Sequence, residues 1–413
     1  MLIVLRTEGI NIYFLCPFLG CFCLIGASFS SGQSIFGKYK FLENILVSVS
    51  QMLAIIPYLI SVKIKNESFM NTEKSKEEKK QLINNNFEEE NNIKISQGLC
   101  LGAVEFLKLF ILNVGSDLFD IKFRIFFMSS NVLFLSFLQK CFLKTRIYRH
   151  QIASFIIFFA LDIAFIIIVA FDDLLNYNLM QLIFIFVSNL FFSFEITYEK
   201  TILNNKDISF YKLCIYLGIF SFIFNIIASI ITTIVEFNLN VDDKYKIYFF
   251  NYKYYLEEVD DHVLVEIILI FVFVILNGVY NILQLLTIKY LTQSHVLITY
   301  IMLAIYYSIL TKFQEIETTS LTLIFSFVFY IVGFFVLFIF LEIILLNFCG
   351  INKDITFKIG LQSDVNKYMQ SFSADEDDIE VEKTGDKGEK LNEMKERNIS
   401  ATSSELESYE NDE

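Results

Sequence analysis

Proline, histidine and tryptophan are scarce in this sequence: its 413 residues contain two prolines, three histidines and no tryptophan. Proline lacks a backbone donor and breaks helices, so its scarcity predicts nearly continuous helices that move as bundles rather than unwound half-helices. Three histidines offer little material for metal binding or proton transfer, and the metalloprotease pattern H-E-x-x-H does not occur. An enzyme is therefore the least favoured class of function.

Two further absences narrow the function. The sequence lacks the phosphate-binding pattern G-x-x-x-x-G-K-[ST], which argues against ATP-driven transport by this chain alone. Its seven cysteines lie in or beside apolar runs, without metal-site spacing, and Cys21 and Cys23 are too close for an ordinary disulfide. We therefore expect structural thiols, no metal and no cofactor.

Apolar residues dominate what is present. Hydrophobic residues make up 55% of the chain, and the mean hydropathy is +0.53. A water-soluble protein of this size could not cover so much apolar surface with polar side chains. The composition therefore predicts a polytopic membrane protein whose surroundings are the lipid bilayer.

Ten apolar runs are long enough to cross the ~30 Å hydrocarbon core of a bilayer. They lie at 11–32, 42–62, 95–114, 118–139, 151–171, 179–199, 211–236, 263–287, 294–311 and 320–346. Lysine and arginine are concentrated in the even-numbered connections, which are cytosolic by the positive-inside rule. Both termini are then expected in the cytosol.

This reading divides the chain into seven segments. They are helices 1 and 2 in 1–62, a charged cytosolic loop in 63–94, helices 3 to 6 in 95–200, helix 7 in 201–236, a lumenal loop in 237–262, helices 8 to 10 in 263–350 and an acidic tail in 351–413. The tyrosine-rich lumenal loop is expected to contain a short interfacial helix. The tail has too few apolar residues to fold and is predicted to be disordered; binding of trafficking or regulatory proteins and an inert tail both stay open.

The ten helices are predicted to form a five-plus-five inverted repeat, giving an all-α membrane fold. An odd number of helices in each half makes the second half insert upside down, as in many secondary transporters. The third and fourth helices of each half meet in a tight polar turn, F-I-L-N-V-G-S-D-L-F-D at 110–120 and L-T-I-K-Y-L-T-Q-S-H at 286–295. These two turns lie on opposite faces of the membrane in the predicted topology.

Several short stretches, in order, resemble a known family. They are L-N-V-G-S at 112–116, C-F-L-K-T-R-I at 141–147, F-D-D-L-L at 171–175, Y-E-K at 198–200, Y-N at 280–281, I-K-Y-L-T at 288–292, and Gly333 followed by E-I-I at 342–344. Together they cover roughly 95–347 and resemble the drug/metabolite transporter superfamily, within it the nucleotide-sugar-transporter-like solute carrier 35 branch. The resemblance implies a transporter of an endomembrane, Golgi or lysosomal/endosomal, rather than of the plasma membrane.

The resemblance also implies a cargo. Its first candidate is an organic anion such as a nucleotide sugar, followed by an amino acid, small peptide or other metabolite. Many relatives have a basic residue inside helix 4 and an arginine early in helix 9, where this chain has Met128 and Val296. Both cargo classes therefore stay open.

Polar residues inside the apolar runs are the candidates for a substrate path, because a charge at mid-bilayer costs about 2.5–3.5 kcal/mol on insertion scales. They are Glu105, Lys108, Asn113, Lys122, Arg124, Asp162, Glu195, Asn277, Asn281, Gln284 and Tyr300. Glu105 and Lys108 are three residues apart, so they either neutralise each other or leave Lys108 to meet an anionic group. Lys122 and Arg124 either snorkel to the headgroups or form a positive vestibule rim.

Asp162 interrupts the apolar run of the fifth helix at its middle. Three interpretations stay open for it. It is protonated and bonded to a neighbouring helix, it pairs with Lys108 or a base of helix 4, or it takes part in transport, for example by carrying a proton.

The leading hypothesis is a secondary-active transporter with alternating access, driven by exchange or by protons. Its partners are a small-molecule substrate and the bilayer, not nucleic acid, and a homodimer is compatible with the sequence. The competing hypothesis is a non-transporting membrane scaffold whose working parts are the loop 66–93 and the acidic tail.

Overall fold

The apolar runs of the sequence form α-helices in a computed structural model of the protein. The structure describes residues 3–5, 12–70, 93–116, 131–144, 147–171, 179–204, 208–239, 252–259, 262–313 and 320–346. Numbered along the chain, the helices are α1 (Leu15–Gln33), α2 (Lys40–Met52), α3 (Ile55–Met70), α4 (Ile95–Ser116), α5 (Asn131–Leu138), α6 (Arg149–Phe171), α7 (Leu179–Leu203), α8 (Phe210–Leu239), α9 (Tyr252–Val259), α10 (Val263–Tyr290), α11 (Val296–Phe313) and α12 (Ser320–Phe340). Short 3-10 turns at Ile12–Phe14, Phe36–Lys38 and Gln293–His295 and a π-helical turn at Gln139–Leu143 adjoin these helices.

A small antiparallel ladder joins β1 (Ile3–Leu5) to β2 (Ile344–Leu346), with Ile3 opposite Leu346. It brings the segment before α1 beside the segment after α12. Apart from this ladder, the described residues are helical or lie in short connections, in keeping with the predicted all-α class.

The chain divides into two units, Met1–Lys353 and Asp354–Glu413. All the described residues belong to the first unit. The charged loop was predicted at 63–94, but 63–70 are helical and form the end of α3. The rest of that loop from 71 to 92, and the disordered tail predicted at 351–413, lie outside the described residues. The predicted interfacial helix of the lumenal loop corresponds to α9.

Proline divides the second apolar run. The prediction was one continuous helix, but α2 ends at Met52 and α3 begins at Ile55. Pro57 has no N–H to bond to the carbonyl four residues earlier, that of Leu53. The break therefore falls at Leu53 and Ala54, although the apolar stretch continues across it.

Four helical segments of the described chain have the length and composition to cross a membrane. They are Leu15–Gln33, Phe41–Ile64, Phe210–Thr232 and Val263–Tyr290. At about 1.5 Å per residue, the 28 residues of α10 extend ~42 Å, which exceeds the ~30 Å hydrocarbon core.

Large apolar side chains on these segments face outward. Phe22, Leu264 and Phe271 are 66%, 72% and 64% exposed. Apolar patches of this extent would cause aggregation in water, whereas lipid accommodates them. The exterior therefore agrees with the apolar helices in indicating a membrane-embedded protein.

The helix contacts follow a regular pattern. The most extensive helix–helix packing joins α1 to α10 and α4 to α7. The other main contacts join α8 to α2, α4 and α10, α2 to α4 and α10, α11 to α1 and α12, α5 to α6 and α7, α6 to α12, and α10 to α7 and α11. The α1–α10 pair is antiparallel, since Gly20 lies near Tyr280 and Ser30 Oγ donates to the Leu269 carbonyl (2.6 Å).

Two glycines let α2 pack closely between α8 and α10. A Cβ at Gly218 of α8 would lie 2.8 Å from the Ser48 carbonyl oxygen, and one at Gly278 of α10 would lie 2.9 Å from that of Ser50. Small residues commonly allow such close helix approach in membranes. Asn225 Nδ2 adds an interhelical bond by donating to Ser48 Oγ (3.2 Å).

Candidate functional site

A cavity of about 500 Å³ lies between α1, α2, α4, α7, α8, α10 and α11. At one end it is open, where the Lys38 side chain is 58% exposed. At the other end the lining is buried, since Glu199 is only 1% exposed, and we call this the closed end. Seven of the eleven predicted path residues line it: Glu105, Lys108, Glu195, Asn277, Asn281, Gln284 and Tyr300.

The wall formed by α4 and α7 is charged. Lys108 Nζ donates to Glu105 Oε2 (2.5 Å), which is one of the two interpretations that their three-residue spacing left open. The same ammonium lies 2.7 Å from Glu195 Oε2, an ion-pair distance at an angle that makes no hydrogen bond. Gln51 Nε2 of α2 donates to the other Glu105 oxygen (3.2 Å), and the Phe192 ring centroid lies 5.7 Å from the ammonium. Lys108 is therefore neutralised by two carboxylates.

A third carboxyl group extends this wall toward the closed end. Glu199 follows Glu195 by four residues on α7, so both side chains share one face of the helix. Gln284 bonds to the Glu199 carboxyl, but Glu199 Oε2 has no hydrogen-bond partner among the described residues. The wall thus holds three buried carboxyl groups for one ammonium, an excess of two acids.

The wall formed by α10 and α11 is polar without being charged. Tyr280 and Tyr300 share a hydrogen bond between their hydroxyls (2.7 Å), and Asn281 Nδ2 donates to the Asn277 carbonyl (2.9 Å). Hydroxyl and amide groups both donate and accept hydrogen bonds. This wall can therefore hold a polar solute without selecting the sign of its charge.

The open end is bounded by the α1–α2 connection. Glu266, which opens α10, accepts the backbone N–H groups of Ile35 (3.0 Å) and Phe36 (2.7 Å), and the hydroxyl of Tyr255 on α9 (3.3 Å). Glu266 therefore holds the connection in place, so its burial has a structural reason. Burial and the Glu266 carboxylate raise the pKa of Tyr255, which remains a donor.

A second contact fixes α9 beside this mouth. Lys38 forms an ion pair with Glu258 of α9. Tyr39 donates to the other oxygen of Glu258 (3.3 Å), and burial followed by the Glu258 carboxylate raises the pKa of Tyr39 to about 12. The mouth therefore has a polar rim of both signs.

The closed end is bridged by backbone carbonyls. Lys200 Nζ, at the end of α7, donates to the carbonyls of Ile288 (2.7 Å), Lys289 (3.3 Å) and Leu291 (3.1 Å) at the end of α10. Lys289 Nζ donates in turn to the Ile208 carbonyl (3.0 Å), just before α8. These contacts tie the end of α7 to the end of α10, and the end of α10 to the segment before α8.

Of the four remaining predicted path residues, only Asp162 has a side chain that the structure describes. Asp162 is buried in a separate recess of about 10 Å³ with Phe158, Tyr330 and Gly333. It forms no pair with Lys108, which was one of the interpretations left open for it. Asn113 belongs to α4, but its side chain lies outside the described part of the structure. The predictions for Lys122 and Arg124 also fall outside the described residues.

Sequence reasoning missed several residues of the site, of which Glu199 and Tyr280 bear most on its chemistry. Glu199 was taken as the end of its helix, although its spacing of four from Glu195 placed both acids on one face. Tyr280 precedes the predicted Asn281, and only the tertiary contact with Tyr300 marks it as part of the wall. Both residues lie in short stretches that resemble the family, Y-E-K at 198–200 and Y-N at 280–281, but neither stretch marks its residue as part of a substrate path.

No protein-family model and no curated protein matches this chain.

Proposed function

We propose that the protein is a secondary-active solute transporter that works by alternating access, and that its cargo carries an ammonium group. The carrying observation is the excess of buried carboxyl groups over lysine in the cavity wall. An amino acid or short peptide fits this description. A volume of about 500 Å³ lies within the usual range of small-molecule sites, roughly 300–1,000 Å³.

An inverted repeat of ten spans is the scaffold that we propose for this activity. One half comprises α1, α2 with α3, α4, α5 and α6; the other comprises α7, α8, α10, α11 and α12. Taken in order, the counterparts are α1 and α7, α2 and α8, α4 and α10, α5 and α11, and α6 and α12. When each helix is replaced by its counterpart, the α1–α10 contact corresponds to α7–α4, α1–α11 to α7–α5, and α4–α8 to α10–α2. The contacts α2–α8 and α6–α12 convert into themselves. This correspondence supports two halves with the same helix packing. Because each half has an odd number of spans, the second half would be inserted in the opposite orientation to the first.

Membership of the drug/metabolite transporter superfamily, in its solute carrier 35 branch, belongs to the same proposal. It is supported by the ordered short matches in the sequence and by the cavity between the two halves. An endomembrane location with cytosolic termini follows from the resemblance and from the distribution of lysine and arginine. A small solute and the bilayer are the proposed partners, with the acidic tail as a candidate contact for trafficking proteins.

Charge decides between the two cargo classes. An organic anion such as a nucleotide sugar would have to displace Glu105 or Glu195 from Lys108, the lysine that the charged wall provides. An ammonium group could instead approach Glu199 Oε2 without breaking a bond among the described residues. A buried carboxylate is stable only when it is compensated, so binding a cation there is favourable.

The same carboxyl groups offer two ways to drive transport. A cargo ammonium and a proton both neutralise Glu199, so each can compensate its charge while the cavity is closed. Exchange of one solute for another and proton coupling are therefore both compatible with the site. The neutral wall would meanwhile bond to the carboxylate or amide groups of the cargo.

Counterflow in liposomes tests the proposal. Purified protein is reconstituted with an unlabelled solute inside, and uptake of labelled amino acids, dipeptides and nucleotide sugars is compared. We expect exchange of amino acids or dipeptides, reduced roughly tenfold or more in Glu199→Gln, the size expected for one charge-assisted hydrogen bond. Asp162→Asn is the matched control, because it also neutralises a buried acid but lies outside the cavity.

Two results would contradict the proposal. Exchange of nucleotide sugars without amino acids or peptides would identify an anion carrier. No exchange of any solute by well-folded protein would favour the membrane scaffold.

A further inference from the structure

The contact between Lys200 and α10 joins the two walls of the cavity. Lys200 ends the charged wall on α7, and its three acceptors belong to the last turn of α10 or directly follow it. The last carbonyls of a helix lack partners within the helix. They also carry the negative end of the helix dipole, which favours a cation. An ammonium at this position therefore satisfies carbonyls that would otherwise need water.

A second lysine ties the same end in the opposite direction. Lys289, on the last turn of α10, donates to the Ile208 carbonyl in the connection from α7 to α8. Each of the two helices therefore places a lysine on the backbone beside the other. Hydrogen bonds from a charged donor are roughly twice as strong as neutral ones.

The sequence places this contact directly beside the cavity. Glu199 lines the closed end of the cavity, and Lys200 is the next residue of the same helix. Glu199 therefore faces the solute space, while Lys200 bonds to the end of α10. Alternating access requires the closed end to separate when the open end shuts. Backbone carbonyls released from Lys200 would then be solvated by water entering the gap.

We propose that Lys200 is the latch that holds the closed end of the cavity shut, and that its release from α10 opens this end. This inference rests on the proposed transport function. Lys200 acts through α10, so it is a positioning residue rather than a ligand of the cargo. Its contribution lies in the equilibrium between the two states of the cavity.

Cys214 provides a native reporter for the latch. It lies at the closed end of the cavity and is fully buried. The chain is prepared with its other cysteines replaced, and a membrane-impermeant maleimide is added to sealed vesicles of known orientation. We expect Lys200→Met to increase labelling of Cys214 from the closed side roughly tenfold, the effect expected for losing a charge-assisted bond. Lys200→Arg, which keeps the charge and the donors, should label like the parent protein.

Lys212→Met is the matched control. Lys212 lies near the start of α8 and contacts the ring of Tyr58 on α3 (5.7 Å to the centroid). The Lys212→Met substitution removes a positive charge from the same end of the bundle and should leave the labelling of Cys214 unchanged. Lys289→Met removes the reciprocal tie and should increase labelling, which supplies a second variant should Lys200→Met not fold.

The outcomes separate the latch from the transport function. Unchanged labelling in folded Lys200→Met or Lys289→Met would overturn the latch, even if counterflow is observed. An equal increase in Lys212→Met would also overturn it, because the effect would then come from net charge. Increased labelling in the lysine variants of the latch would support it even if no solute exchanged, and in that case the proposed transport would fail separately.

Discussion

The two longest helix contacts of the protein, α4 with α7 and α1 with α10, occupy corresponding places in the contact pattern but differ in chemistry. The α4–α7 pair contributes three carboxyl groups and a lysine to the cavity. Among the described cavity-lining residues, α1 and α10 contribute serine, asparagine, glutamine and tyrosine but no charged side chain. The same packing therefore supports the charged wall in one pair and, in the other, an uncharged surface whose α10 residues belong to the neutral wall.

This difference indicates how the site is distributed over the scaffold. Close packing of α1 on α10 is aided by small residues, since a Cβ at Gly26 would meet the Leu276 side chain. The α4–α7 pair instead contains ionisable groups whose opposite charges must neutralise one another. Buried ion clusters seldom add net stability over apolar packing. The charged wall is therefore better explained by binding than by stability.

The largest expected effect comes from breaking the charged wall. Lys108→Met would leave Glu105 and Glu195 without their shared ammonium and should lower the free energy of unfolding by about 3–5 kcal/mol, the usual cost of removing one partner of a buried ion pair. Thermal unfolding in detergent, followed with a thiol dye that reports exposure of buried cysteines such as Cys214, measures the change.

The neutral triple variant is the control for this prediction. Lys108→Met combined with Glu105→Gln and Glu195→Gln removes all three charges together and should recover most of the lost stability. If Lys108→Met alone were as stable as the parent protein, the three groups would not form a compensated cluster.

A smaller effect is expected from the neutral wall. Tyr280→Phe removes the hydroxyl bond to Tyr300 and should cost about 0.5–1.5 kcal/mol of unfolding free energy. Solute exchange should fall much less than in Glu199→Gln, since a neutral bond is lost. Tyr216→Phe, whose ring contacts Phe220 outside the cavity, is the control. A larger loss of exchange in Tyr280→Phe than in Glu199→Gln would reverse the ranking of the two walls.

The smallest effect is expected at the mouth, outside both walls. Lys38→Met breaks the ion pair with Glu258, whose side chains are 58% and 39% exposed. Exposed pairs contribute about 0–1 kcal/mol, so the unfolding temperature should change little and the difference should vanish in high salt. A loss comparable with that of Lys108→Met would mean that the mouth, not the charged wall, holds the bundle together.

Hydrophobic run length predicted the helices well because each needs a continuous apolar stretch. The predicted runs 95–114 and 263–287 correspond to α4 and α10, which start at the predicted residues. The local spacing of Glu105 and Lys108 likewise offered their contact as one of two interpretations. By contrast, the helix break at Leu53 is caused by Pro57, which cannot donate a hydrogen bond to the Leu53 carbonyl four residues earlier.

The rest of the site depends on contacts between distant segments. Glu195 joins Lys108 only because α7 packs on α4, and no local pattern contains that information. The β1–β2 ladder joins residues near opposite ends of the described chain, and neither three-residue strand has a sequence signature. Lys200 resembled an ordinary cytosolic base until its three carbonyl partners were placed.

Cargo charge is most directly measured with two solutes that differ in one group. Counterflow is compared for a dipeptide and for the same dipeptide acetylated on its amino terminus, which removes the ammonium and leaves the carboxylate. We predict exchange of the free dipeptide and little exchange of the acetylated one, with the difference abolished in Glu199→Gln. Equal exchange of both solutes, or preference for the acetylated anion, would contradict an acidic cavity that selects an ammonium group.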